Sequence, residues 1–303
     1  MVYRLRHAVI ALVVAAPAAA DPQSGTGFRD CDHCPEMVVV PAGSFRMGSP
    51  ATEEAHSDDE GPVRTITIAG AFAAGKYEET RLEYAAFVVA TGRPIPSDCY
   101  VDETGDWELK TDRSWKDPGF EQGEDEPVVC VSWNDADAYV AWLSAGTGER
   151  YRLLTEAEWE YVTRGGSDGP RYWGEDNSLA CDFANVHDCT SKAEVVGISW
   201  SPHPCDDGVA RTAAVGRYRP NAFGLHDTLG NVFEWTADCW AADHPAGAPS
   251  DGSARTDGPC RNRVMRGGSW YYGPGFVRAA ERTGVDAGSR IFDAGFRVAR
   301  EIE

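Results

Sequence analysis

Residues 221–240 read NAFGLHDTLGNVFEWTADCW. Within these twenty positions the chain places two glycines, Gly224 and Gly230, where backbone geometry closed to other residues becomes available. Asp227, Asn231 and Glu234 bring side-chain oxygens close together. Phe223, Phe233 and Trp235 supply large apolar anchors. A loop leads to a second dense stretch, RVMRGGSW at 263–270, and a third, GFRVAR at 295–300, nearly closes the chain.

Three further stretches complete the pattern: VVVPAGSFRMGS at 38–49, PVVCVSWNDADAYVAWL at 127–143 and YRLLTEAEWEYVTRGG at 151–166; Tyr172–Gly216, which carries three cysteines, reads as irregular. The ordered blocks resemble the formylglycine-generating enzyme (sulfatase-modifying factor) family. The resemblance implies one α+β domain with a C-type-lectin-like fold, little regular secondary structure, and loops held by calcium and disulfides. The expected organisation is a signal segment at 1–20, an N-terminal segment with a CxxC at 21–35, and a single family domain at 36–303.

Met1–Ala20 has the grammar of a secretory signal. Arg4 and Arg6 form the charged start, Ala8–Ala16 the apolar run, and Ala18–Ala20 the small-residue site, with cleavage expected after Ala20. The apolar run is too short to span a bilayer, which takes about 20 residues. This predicts a periplasmic or secreted protein with no membrane insertion. Without Arg4 and Arg6, 26 basic face 48 acidic side chains, a net charge of −22 that repels nucleic acid.

Nine cysteines in an oxidising compartment favour disulfides. The pairs expected from sequence proximity are Cys31–Cys34, Cys99–Cys130, Cys181–Cys205 and Cys239–Cys260, with Cys189 left over, although spacing alone leaves other connectivities open. Thr80–Glu83 and Thr155–Glu158 are capping boxes, and Ser132 with Asp135 marks a third helix start. The helices are expected to stop at Gly92, Gly146 and Gly165–Gly166. Leu82, Tyr84, Phe87 and Val88 are the candidate buried residues of the first. Met37–Val40 and Val63–Ile68 read as strands, Ser44–Met47 as the return of a hairpin after Pro41–Gly43, and the acidic Ala51–Pro62 as a surface loop.

Calcium takes six to eight oxygens from carboxylates, amides and carbonyls. The resemblance implies two ions. The first would be held by Asp227, the carbonyls of Gly230 and Val232, and Glu234. The second would be held by Asn185, the Val186 carbonyl, Asp207 and the Val209 carbonyl. The family's copper enzymes also carry two thiolates shortly after the GGS block, where soft sulfur holds Cu(I). Residues 269–282, SWYYGPGFVRAAER, contain no cysteine. The candidate pocket residues there are Ser269, Trp270, Tyr271, Tyr272, Arg278 and Arg282. Ser269 matches a family residue near the substrate thiol. The two arginines could clamp a ligand carboxylate or pair with the chain's own acids.

The resemblance therefore implies an oxygen-dependent oxidoreductase scaffold for a peptide or peptide-derived substrate, with copper or iron unspecified and sulfatase cysteine conversion disfavoured. An exported relative that oxidises a siderophore chromophore is the precedent. The alternative is a non-catalytic, calcium-stabilised lectin-like module for a peptide, small-molecule or protein ligand.

Overall fold

A computed structural model of the chain describes residues 25–302, except 104, 243, 245, 246 and 259. The expected signal segment lies outside the described residues. Thirteen strands and three main helices lie among them. Strands β1 (Gly27–Phe28), β2 (Met37–Val40), β5 (Phe72–Gly75), β13 (Val298–Glu301) and β8 (Tyr151–Leu153) form an antiparallel sheet in the order β1-β2-β5-β13-β8. A second sheet runs β11 (Arg282–Asp286), β10 (Asn262–Arg266), β9 (Phe233–Cys239), β12 (Ala294–Phe296), with β12 parallel to β9. Two hairpins stand apart: β3 (Gly43–Met47) with β4 (Arg64–Ile68), and β6 (Cys99–Asp102) with β7 (Trp107–Lys110).

The five-stranded sheet divides two cores, which explains why its central strands are apolar without alternation. On β2, Met37 enters one core while Val38 and Val40 enter the other. Val298 and Ala299 on β13 split the same way. Strand β9 alternates. Phe233 and Trp235 pack into the first core, and Glu234, Thr236 and Asp238 point the other way, buried and each hydrogen-bonded.

All three capping boxes form. They start α1 (Arg81–Thr91), α2 (Trp133–Thr147) and α3 (Glu156–Arg164). Gly92 and Gly165 end the first and third in the left-handed conformation. The second helix runs past Gly146. Gly148 takes the left-handed position instead, at φ 78°, and its N–H returns to the Ser144 carbonyl. Leu82 is 57% exposed, because two residues along a helix turn the side chain about 200° from the Tyr84–Phe87 face.

Two further expectations change. The β3 strand pairs with β4 rather than returning along β2, whose two edges β1 and β5 already fill. The acidic stretch 51–62 is not wholly superficial: Glu60 is fully buried. The four expected disulfides form, and Cys189 is free and exposed. No helix among the described residues is long and apolar enough to cross a membrane.

Candidate active site and cation-binding loops

The segment after β10 turns on Gly267 and Gly268, at φ 107° and 70°. A Cβ on Gly268 would stand 2.9 Å from the Phe276 carbonyl oxygen, so the turn accepts only glycine. It delivers Ser269, Trp270 and Tyr271 into the first core. The Ser269 hydroxyl donates to Asp293 Oδ2 at 2.6 Å. Burial pushes the Asp293 carboxyl up to about 7, against the lowering effect of that hydrogen bond. The Tyr271 hydroxyl donates to Asp102 Oδ2 at 2.5 Å. Trp270 lies edge-on to Phe120 and Phe292, at 5.9 and 5.6 Å between centroids.

Asp102 and Trp107 face each other across the β6–β7 hairpin. Trp107 is 43% exposed and packs edge-on against Tyr271 and Phe292. It forms the open rim of an aromatic wall. Tyr272, next along, stacks on Trp200 at 5.6 Å. Asp102 and Trp107 carry no signal in the sequence, because their partner Tyr271 lies far along the chain, 169 positions from Asp102; Asp293 is 24 positions from Ser269, with no short motif linking the two.

Arg278 and Arg282 are already occupied. Arg278 pairs with Glu53 at 2.7 Å, with Glu60, and with Glu281 at 3.2 Å, and donates to the Ala55 carbonyl. Arg282 clamps Glu156 through two bonds of 2.7 and 2.9 Å and lies over Trp240. Both act as buried ties between distant segments, and neither guanidinium is left open for a ligand carboxylate.

The first expected calcium loop is deeply buried. Asp227 Oδ2 accepts from the Gly216 N–H, while Oδ1 is buried without a donor. An orphaned carboxylate oxygen of this kind fits a cation. Glu234 is placed differently: Arg297 and the Trp159 indole N–H engage its two oxygens. The structure adds Glu78, which accepts from the Asn231 side chain and from the Val232 N–H at 3.1 Å. Burial and the charges of Asp227 and Glu234 push the Glu78 carboxyl well above its ordinary range. Three buried carboxyl groups thus share one guanidinium, Arg297, and a divalent ion there would favour their ionised forms.

The second expected set is brought together only in part. Asn185 donates to the Arg211 carbonyl and to the Asn231 side chain, and its Oδ1 is buried without a donor. Asp207 accepts from the Val209 N–H and the Tyr218 hydroxyl. Its carboxylate lies close to Asp188 and to Cys181, whose sulfur is already bonded to Cys205. Burial raises the Asp207 carboxyl to about 6.

A thiolate copper site does not fit these residues. Eight cysteines are in disulfides, and Cys189 stands alone on a short helix, Cys189–Glu194.

Residues 23–302 match the family described as the sulfatase-modifying factor enzyme 1-like domain. The formylglycine-generating enzyme of Thermomonospora curvata is 34% identical, over 88% of this chain and 93% of its own length. The inactive C-alpha-formylglycine-generating enzyme 2 of Bos taurus is 32% identical over 77% of this chain and 76% of its own. Among solved structures, PvdO from Pseudomonas aeruginosa superposes with a TM-score of 0.79 at 40% identity, covering 92% of this chain and 99% of PvdO. The chain belongs to the formylglycine-generating enzyme, or sulfatase-modifying factor, family.

Proposed function

We propose that this chain is an exported oxidoreductase that oxidises a peptide or peptide-derived substrate with dioxygen, without the thiolate copper site. The observation that carries the reading is the Ser269–Asp293 pair beneath the aromatic wall of Trp270, Tyr271 and Trp107. Ser269 holds the position that resembles the family's substrate-side serine. A carboxyl titrating near neutral pH behind a hydroxyl is suited to taking up a substrate proton. The substrate gives up two electrons and two protons, and dioxygen takes both to become hydrogen peroxide. Trp107 offers an exposed ring face for the substrate.

Calcium has a structural role in this reading. Asp227, Glu78 and Glu234 with the Gly230 and Val232 carbonyls form one site. Asn185, Val186, Asp207 and Val209 contribute a second. The expected signal segment and the four disulfides support export.

The test is oxygen uptake with candidate peptides, coupled to mass spectrometry for loss of two hydrogens, on protein offered copper or iron and on protein offered neither. Uptake that disappears in Asp293→Ala supports the reading. No uptake in any preparation favours the non-catalytic calcium-stabilised binding module. The absent thiolates and the relative named inactive speak for that second reading.

A further inference from the structure

A cavity of about 390 Å³ opens beside Pro274 and Gly275. It shares no lining residue with the aromatic wall or with the Ser269–Asp293 pair. Arg171 lines it and is only 4% exposed. Its Nε donates to the Val277 carbonyl at 2.8 Å and its Nη2 to the Pro274 carbonyl at 2.5 Å. Nη1 has no protein partner among the described residues, and no carboxylate there comes within ion-pairing distance of this guanidinium. Burial, with Arg278 nearby, pulls the Arg171 pKa down to about 10, so it remains charged at neutral pH.

Glu53 and Glu54 offset the Arg171 charge only from beyond ion-pairing distance, and a buried cation without a close counter-charge is unfavourable unless something supplies one. Arg278 cannot compete for an anion, because Glu53 and Glu60 already hold it. Asn177 lines the same cavity, and its side-chain oxygen is buried without a donor. The cavity thus presents one unused donor, on Arg171, and one unused buried acceptor, on Asn177. Glu54, Asp168 and Glu175 also line it. All three are exposed and take part in no ion pair among the described residues.

Apart from the Arg278–Glu53 pair, the charges are sorted by depth, with Arg171 on the buried wall and Glu54, Asp168 and Glu175 toward solvent. A simple anion would meet repulsion on entry, and a simple cation would meet Arg171. A ligand carrying both signs satisfies both layers.

We propose that this cavity binds the carboxyl end of a basic amino acid or peptide, its carboxylate on Arg171 and its cationic side chain toward Glu54, Asp168 and Glu175. The inference rests on the peptide-derived substrate class proposed above and names its recognition chemistry. It requires no turnover.

The experiment is calorimetric titration of the full chain with the dipeptide Gly-Lys, with its C-terminal amide, and with Gly-norleucine. Gly-Lys is expected to bind saturably. Amidation should weaken binding about tenfold or more, since it removes a charge-assisted hydrogen bond. Replacing lysine by norleucine should weaken it several-fold. Glu175→Gln should weaken Gly-Lys and leave Gly-norleucine unchanged. Arg171→Gln should abolish binding of all three. Should that variant fail to fold, the amide comparison on the unaltered protein carries the test. No saturable binding, or equal binding of acid and amide, overturns the proposal. Oxygen uptake with a longer peptide, but no binding of Gly-Lys, sinks the cavity and leaves the oxidase standing. Gly-Lys binding without any oxygen uptake does the reverse.

Discussion

Ser269 donates its hydroxyl hydrogen to Asp293 across 2.6 Å, and neither residue is more than 1% exposed. Asp293 is the more costly partner. Burial raises its carboxyl from an ordinary 3.8 to about 7. A carboxyl whose pKa is raised on folding binds its proton more tightly in the folded state. Its contribution is fully favourable below about pH 4 and is lost as pH climbs through 7.

Asp293→Asn removes that titration while keeping an acceptor for Ser269. At about 1.4 kcal/mol per pH unit, the substitution should gain on the order of 3–4 kcal/mol relative to the parent at pH 8 and little at pH 4. Denaturant unfolding at the two pH values measures this. Equal stability of variant and parent at pH 8 would show that Asp293 is ionised at no cost, and would remove the case for it as a proton acceptor.

What could be read from the sequence was local. The capping boxes at Thr80, Ser132 and Thr155 declare themselves within four residues, and each disulfide closes a loop of at most 31 residues. The candidate site was legible on one side only. Ser269 and Tyr271 follow a glycine pair that marks a turn, but Tyr271 finds Asp102 across 169 positions and Asn231 finds Glu78 across 153. Glu78 sits beside another buried glutamate, Glu79, just ahead of a helix cap, with nothing local to distinguish their roles. The acidic run 51–62 misleads for the same reason. Its composition reads as solvated, and only the fold brings Arg278 to Glu53 and Glu60.

Chelating calcium should loosen the loops around Asp227, the proposed cation site. Its unpartnered oxygen, together with Glu78 and Glu234, gathers three buried carboxyl groups around one guanidinium, Arg297. An ion present at 100 times its dissociation constant stabilises by about 2.7 kcal/mol. The melting temperature should fall on chelation and recover with calcium but not with added sodium. Asp227→Asn should blunt the response. A melting curve indifferent to chelator would end the case for a bound cation at this loop.

The Cys99–Cys130 disulfide anchors the hairpin that carries Asp102 and Trp107. Closing its loop is worth about 3–4 kcal/mol by chain entropy. The Cys99→Ala/Cys130→Ala double variant should lose roughly that much in denaturant unfolding. Peptide binding at the aromatic wall should weaken further than global stability explains, because Trp107 loses its fixed support. Loss of stability with unchanged affinity would separate the hairpin from the site.

The Trp107 and Tyr271 rings meet edge to face with centroids 6.2 Å apart, yet their substitution should read out differently. Trp107 stands at the rim, so Trp107→Ala should change stability by less than about 1 kcal/mol. It should weaken binding of an aromatic or peptide-derived substrate by about 1–2 kcal/mol, the worth of a lost ring contact with its burial. Tyr271 is buried at 3% exposure and its hydroxyl holds Asp102. Tyr271→Phe should cost about 1–2 kcal/mol of stability, since a buried carboxylate oxygen loses its donor. Its effect on affinity should be smaller than that of Trp107→Ala. Unfolding curves and substrate titrations on both variants decide the matter. If Tyr271→Phe lowers affinity more than Trp107→Ala at equal stability, the substrate reaches the phenol itself, and the binding surface lies deeper than the exposed rim.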